Sequence, residues 1–313
     1  MTNEPISINP LFEKTFNKIK DSYAFNTVRA YKSDFLDFHK YCEELSLGSL
    51  PADPELISQY IHYCIEHQYS FNTIKRKAAS ISAMHRFNRF PDPIADIEVK
   101  LAIRKANRVI ERSVKQAYGI SKDLFQKMVD STGEDLRGYR DRALLYLSFY
   151  SLCRRLELSK LLIEDIKHNE DKSALIFIRE SKTDLRRTGR LVYLPDHVWF
   201  HVEAWLIQAK LTEGPILRGI VRNQVSSSKL SPGTINRILK KLAKRIQLKS
   251  EIVAKISSHS TRVGAAQELL YAGSTLLQVM QRGGWSATKS VLRYVTHADA
   301  LFDYSRFKND VFD

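Results

Sequence analysis

Apolar residues in the first third of the chain recur at helical intervals. Between Thr27 and Leu45, the positions Tyr31, Phe35, Phe38, Cys42 and Leu45 step by four and three, one apolar stripe of an amphipathic helix. Asn26 and Thr27 stand where its N-cap is expected. Leu56–His67 forms a second helix behind a loop punctuated by Pro51 and Pro54. A third opens at Phe71-Asn72-Thr73 and carries Ile74, Ala78, Ile81 and Phe87. The triplet Phe-Asn-Thr occurs at both Phe25 and Phe71, which reflects cap chemistry and not a repeat. Pro91 and Pro93 close this unit, and Lys100–Lys115 reads as a charged linker helix. The boundary falls near Ala117-Tyr118-Gly119, giving a helical domain over residues 1–115 and a second domain over 116–313.

The second part is mixed. Asp141–Tyr150 and Leu156–Ile163 have helical patterns. Ser173–Ile178 and Leu191–Leu194 are apolar runs separated by the polar Arg179–Arg190, a hairpin with a long basic tip. Helices resume at His197–Leu211, at Thr234–Gln247 behind the Ser231-Pro232-Gly233 cap, and through most of the remainder. The expected fold class is mainly α with a small β-sheet (α+β).

Charge narrows the choice of partner. Across 313 residues, 49 Lys and Arg oppose 35 Asp and Glu, a formal charge of +14. Such a surplus favours a polyanion, because neutralising phosphates releases condensed counterions; a generally basic protein or one touching anionic lipid stays open on charge alone. Lys75, Arg76, Lys77 and Arg86 stud one helix, as a DNA-binding face or a solvated one. No window approaches the roughly 18 apolar residues of a membrane span, and Met1–Lys14 lacks a signal pattern. Cys42, Cys64 and Cys153 are sparse and lack metal-like spacing, so a reducing, cytoplasmic setting is expected.

Four clusters in the second domain carry chemistry: Cys153-Arg154-Arg155-Leu156-Glu157-Leu158; Ser181-Lys182-Thr183-Asp184; His259-Ser260-Thr261-Arg262 followed by Gly283-Gly284-Trp285; and Tyr294, nine residues beyond that tryptophan. Singly each has an ordinary reading. An arginine pairs with the nearby Glu157, a hairpin lysine is solvated, an i,i+3 polar pair is common on helices, and a tyrosine packs. His197 and His201 have the i,i+4 spacing of helical metal ligands, but no third ligand stands nearby, so no metal is expected. Cys153 is read as a buried, inert thiol.

In this order the clusters resemble the active site of the tyrosine recombinase family, with wording closest to its Cre-like members: Ser258-His259-Ser260-Thr261-Arg262-Val263-Gly264-Ala265-Ala266, Met280-Gln281-Arg282-Gly283-Gly284-Trp285, and Tyr294. The motifs span residues 119–294. The resemblance implies a site-specific recombinase that cleaves and rejoins DNA through a covalent 3′-phosphotyrosyl intermediate, with Tyr294 as nucleophile. It implies Arg154 and Arg262 as a phosphate clamp, His259 as base, Lys182 as acid toward the leaving 5′-oxygen, Trp285 as a packing residue and donor, and Glu157 as support. Arg154 is preferred to Arg155 because it stands three residues before the glutamate of its Glu-Leu pair, and Arg186 and Arg187 share the hairpin tip with Lys182 as DNA contacts. No metal or other cofactor is implied, since arginines do the electrophilic work of a divalent ion.

The family's architecture is a C-shaped clamp of a core-binding and a catalytic domain around double-stranded DNA, with a dimer on one recombination site and a homotetramer in synapsis, acting on the nucleoid. Asp299–Asp313, with Leu301, Phe302, Tyr304 and Phe307, is expected to dock on a neighbouring protomer or to pack in cis. With about a dozen residues before the first helix, a simple recombinase without an arm-binding domain is expected. Three departures stand out. Ser151-Leu152-Cys153 replaces the family's Thr-Gly-Leu, which is expected to change the turn. Arg155 adjoins Arg154, and Trp285 occupies a position that is often His. Rival readings are a type IB topoisomerase and a catalytically silent DNA-binding protein. The intact set of Arg, Lys, His, Arg, Trp and Tyr argues against the second.

Overall fold

The stripe read from Phe35, Phe38 and Cys42 is the inner face of a helix, with all three side chains fully buried. The computed structural model describes residues 8–110, 117–179 and 188–295, without the side chains of 8–10 and 295. It divides into two units, Met1–Val114 and Lys115–Asp313.

The first unit is helical: α1 (Ile8–Ile19), α2 (Phe25–Glu44), α3 (Pro54–Glu66), α4 (Phe71–Phe87) and α5 (Ile97–Val109). α2 starts two residues before the expected cap. Ala24 takes the N-cap position and makes no side-chain cap, so Asn26 and Thr27 lie in the first turn. α4 starts at Phe71 as expected, behind Ser70, whose hydroxyl accepts the Thr73 N–H at 3.2 Å. α3 instead starts at Pro54, two residues before the expected Leu56 and within the segment read as a loop, because Asp53 caps it and proline fits the first helical position. The core joins Phe35 and Phe38 to Ile57, Tyr60, Ile74, Ile81, Met84 and Val99. Each large apolar side chain buried there contributes roughly 1.5–3 kcal/mol.

The second unit is built around α7 (Leu136–Tyr150), whose Ala143, Leu144, Leu145 and Leu147 are fully buried. α6 (Lys122–Asp130) precedes it and α8 (Arg155–Ser159) follows. The run Leu156–Ile163, read as one helix, stops at Ser159; a separate 3-10 turn spans Ile163–Asp165. A three-stranded antiparallel sheet follows in the order β1 (Ile166–His168), β2 (Ala174–Ile178), β3 (Arg190–Leu194). Ile176 faces Val192 and Ile178 faces Arg190, so β2 and β3 are the expected hairpin. α9 (Asp196–Gln208) packs along α7.

A second hairpin, β4 (Arg218–Val221) and β5 (Gln224–Lys229), had no strand signal. α10 (Pro232–Arg245), α11 (Ser250–Lys255), α12 (Ser258–Tyr271), α13 (Leu276–Gly283) and α14 (Thr288–Val295) complete the unit. Among the described residues no helix is long and apolar enough to cross a membrane.

Candidate active site

The C-terminal end of α13 gathers three arginines from three different elements. The last carbonyls of a helix have no partner within it and carry the negative end of its dipole. Here Gly284 caps α13 in the left-handed conformation (φ 63°, ψ 46°), which turns the chain away and leaves those carbonyls accessible. Arg190, the first residue of β3, donates from Nε to the Arg282 carbonyl at 3.2 Å. Arg262 of α12 donates from Nη2 to the Gly283 carbonyl at 2.6 Å. Arg154, the N-cap of α8, donates from Nη2 to the Gly284 carbonyl at 3.3 Å. Three consecutive carbonyls thus hold three guanidinium groups side by side.

Glu157 lies buried among them. Its Oε1 accepts from Arg154 Nη1 at 2.9 Å, and its Oε2 accepts from Arg190 Nη2 at 3.1 Å and from the Arg154 backbone N–H at 3.0 Å. Burial pushes its carboxyl up. Arg190, then the hydrogen bonds and charge of Arg154, outweigh that and hold it below its usual value. Burial, reinforced by Arg154, lowers the Arg262 pKa to about 10, which leaves it cationic at neutral pH. The Arg262 guanidinium lies 3.8 Å from the Trp285 ring centroid, a cation–π contact.

Arg262 also donates from Nη1 to the Leu152 carbonyl. Leu152 adopts φ +50°, a left-handed backbone that glycine takes more readily than a residue with a Cβ.

α14 brings Tyr294 to this cluster. Val291 and Tyr294 bury against the core, and Gln267 Nε2 of α12 donates to the Tyr294 carbonyl at 2.9 Å. The Tyr294 hydroxyl lies 2.9 Å from Nε2 of His259, and its ring meets Trp285 edge-on at 5.8 Å between centroids. Burial lowers the pKa of His259, and the charges of Arg262, Arg154 and Arg293 add to the effect. A neutral imidazole with an unprotonated Nε2 accepts the hydroxyl proton.

The structure brings together Arg154, Glu157, His259, Arg262, Trp285 and Tyr294 of the sequence-derived set, while Arg155 is exposed. Lys182, Arg186 and Arg187 lie outside the described residues, as does the tail from residue 299. His197 Nε2 meets the Tyr150 hydroxyl at 3.2 Å and His201 stacks on Tyr146 at 4.2 Å, so both pack on aromatic residues of α7. Cys153 is buried, which raises its thiol to about 11.

In the first unit, Lys75, Arg76 and Arg86 are exposed, and Arg76 grips the buried Asp34 through Nε at 2.6 Å and Nη2 at 2.9 Å. Lys77 leaves the expected DNA-facing set. It is buried, with Nζ donating to Asp37 and to the Tyr60 hydroxyl and lying over the Tyr69 ring at 4.8 Å.

Sequence reasoning missed Arg190 and Arg282, which donates to the carbonyls of Tyr150 at 2.9 Å and Tyr193 at 3.0 Å. A signal for Arg190 existed. It shares the parity of Val192 and Leu194, the inward positions of β3, and an arginine on a core-facing register needs a buried partner.

A family model described as the phage integrase family matches residues 120–300, and one described as the phage integrase N-terminal SAM-like domain matches residues 16–90. The chain belongs to the phage integrase family, the tyrosine recombinases. A protein named integrase/recombinase XerD homolog from Selenomonas ruminantium is 30% identical over 318 residues, covering 96% of this chain and 89% of that protein. The recombinase Cre of Escherichia phage P1 is 25% identical over 276 residues, 83% of this chain and 80% of its own. In fold, the chain is similar to the XerH site-specific recombinase bound to a palindromic difH substrate in a post-cleavage complex. The TM-score is 0.66 at 15% identity, over 97% of this chain and 92% of that one. Membership of this family makes the chain an enzyme that cleaves and rejoins DNA strands.

Proposed function

We propose that Tyr294 attacks the scissile phosphodiester of a specific DNA site while His259 takes its proton. The tyrosyl oxygen–phosphorus bond forms and the bond to the 5′-oxygen breaks, leaving a 3′-phosphotyrosyl link and, after protonation by Lys182, a 5′-hydroxyl. The phosphotyrosyl link conserves the bond energy, so the reverse attack by another strand's hydroxyl needs no ATP. The observation that carries this reading is the 2.9 Å contact between Tyr294 and His259 beside two buried or half-buried arginines.

A tyrosine hydroxyl, with a reference pKa near 10, needs such a base at neutral pH. Arg154 and Arg262 hold the non-bridging oxygens. The planar fork of arginine suits two oxygens at once and stays charged through the transition state. Each donor aimed at developing charge is worth roughly 10²–10³ in rate. Trp285 backs Arg262 and keeps its plane fixed, and Glu157 orients Arg154.

Residues 1–115 are the core-binding domain, with Lys75, Arg76 and Arg86 on phosphates; residues 116–313 carry catalysis, with Arg186 and Arg187 as further contacts. The partner is double-stranded DNA, bound by a dimer on one site and by a tetramer when two sites meet, in the cytoplasm.

A nicked suicide duplex, chosen by selecting bound sites from random DNA, tests the reading. The unaltered protein traps a covalent adduct on the selected site, and Tyr294→Phe traps none. An adduct that persists in Tyr294→Phe removes Tyr294 as nucleophile. Adducts on any duplex point to relaxation instead of recombination.

A further inference from the structure

We propose that Arg190 is a positioning residue that shares the charge of Glu157, so that Arg154 keeps its own charge for the scissile phosphate. This rests on the reading of the cluster as a phosphate site. Arg190 enters from the sheet, on the inward register of β3, with its side chain 13% exposed. Its Nε holds the Arg282 carbonyl and its Nη2 holds Glu157, while Nη1 is buried without a hydrogen-bond partner among the described residues. Burying a cation with a spare donor is costly, so a packing role alone is poorly served by arginine.

The electrostatics favour another purpose. Glu157 offers one carboxylate oxygen to the Arg154 guanidinium and the other to the Arg190 guanidinium and the Arg154 backbone N–H. Three guanidinium ions and one carboxylate leave a net charge of +2 beside neutral His259. A phosphodiester carries one negative charge, and more accumulates on its oxygens as the tyrosyl oxygen adds. Were Glu157 paired with Arg154 alone, the cluster would fall to +1 and the arginine facing the phosphate would be neutralised by its own neighbour. Arg190 prevents this from a largely buried place beside Glu157.

The test is a charge-restoring pair of substitutions read by single-turnover cleavage of the nicked duplex, with site binding and thermal unfolding measured alongside. Arg190→Met is expected to slow cleavage about tenfold or more while site binding stays within about threefold. Adding Glu157→Gln to Arg190→Met returns the cluster to +2 and is expected to recover most of the lost rate. A structural role predicts the opposite, since the double variant has lost one further hydrogen-bond acceptor. A double variant as slow as Arg190→Met, or an Arg190→Met protein that cleaves at the unaltered rate, overturns the proposal. Should Arg190→Met not fold, Arg190→Gln carries the same comparison with and without Glu157→Gln. If the unaltered protein forms no adduct, the functional reading fails and this proposal with it; failed recovery with a competent parent sinks only the role of Arg190.

Discussion

The Tyr294 hydroxyl and the Nε2 of His259 meet at 2.9 Å although 35 positions separate them in the chain. The pKa of His259 lies below 6.5, chiefly through burial and then through Arg262, Arg154 and Arg293. The base is therefore unprotonated at lower pH than a free imidazole. Single-turnover cleavage is expected to fall on an acid limb whose midpoint lies below pH 6.5; a midpoint above 6.5 contradicts this assignment. The same shift sets a stability trend. The unfolded chain takes up the proton near 6.5 while the folded chain resists it, so stability falls as pH drops through that value. His259→Gln removes that component from a pH series of melting temperatures.

Lys75 and Lys77 differ by two positions and face opposite ways. Lys75 is exposed on α4, whereas Lys77 donates inward to Asp37 and the Tyr60 hydroxyl. Each phosphate contact adds about 0.9 to the slope of log binding against log salt. Lys75→Ala is expected to lower that slope by about 1, and Lys77→Met to leave it unchanged while altering the melting temperature. A slope that falls in Lys77→Met would return that lysine to the DNA face.

Much of this site was legible because the chemistry demands particular side chains in a fixed order. Arg154, His259, Arg262, Trp285 and Tyr294 were each weak alone, and order along the chain supplied what spacing within any one element did not. What escaped notice had no periodic signature. β5 reads Gln-Val-Ser-Ser-Ser-Lys, with a single apolar residue, and its turn is Arg222-Asn223, both left-handed (φ 47° and 62°) without the usual Asn-Gly. The helix read through Ile163 failed because five residues suffice to place Arg154 and Glu157, after which the chain turns toward the sheet. The meeting of three arginines at one helix end is a tertiary relation, and no local pattern encodes it.

Gly283 stands where no side chain fits. A Cβ there would lie 1.9 Å from the Trp285 ring, the same ring that backs the Arg262 guanidinium at 3.8 Å. Gly283→Ala must push the indole aside and with it the plane of Arg262. The expected cost is about 1–3 kcal/mol of stability from overpacking. A fall in cleavage on the order of 10²-fold follows from misplacing a clamp by about 1 Å. Thermal melts and single-turnover rates check both; a variant with normal cleavage would show that the Trp285–Arg262 stack does not position the clamp.

Leu152 holds its turn against its own preference. Its backbone sits at φ +50°, which costs a residue with a Cβ about 1–2 kcal/mol, yet its side chain is 1% exposed and its carbonyl accepts from Arg262. Replacing it therefore sets two effects against each other. Leu152→Gly relieves the backbone but deletes a buried leucine, a loss of about 3–5 kcal/mol, so the variant should still be less stable than the parent. Leu152→Ala loses nearly the same side chain and keeps the unfavourable backbone. Alanine is thus expected to be worse than glycine here by about 1 kcal/mol, the reverse of the usual order, in which glycine is the less stable by about 0.5–1 kcal/mol. Denaturant melts of the two variants decide it: if alanine proves the more stable, the left-handed turn before Arg154 is wrong, and with it the path by which Arg262 reaches the Leu152 carbonyl.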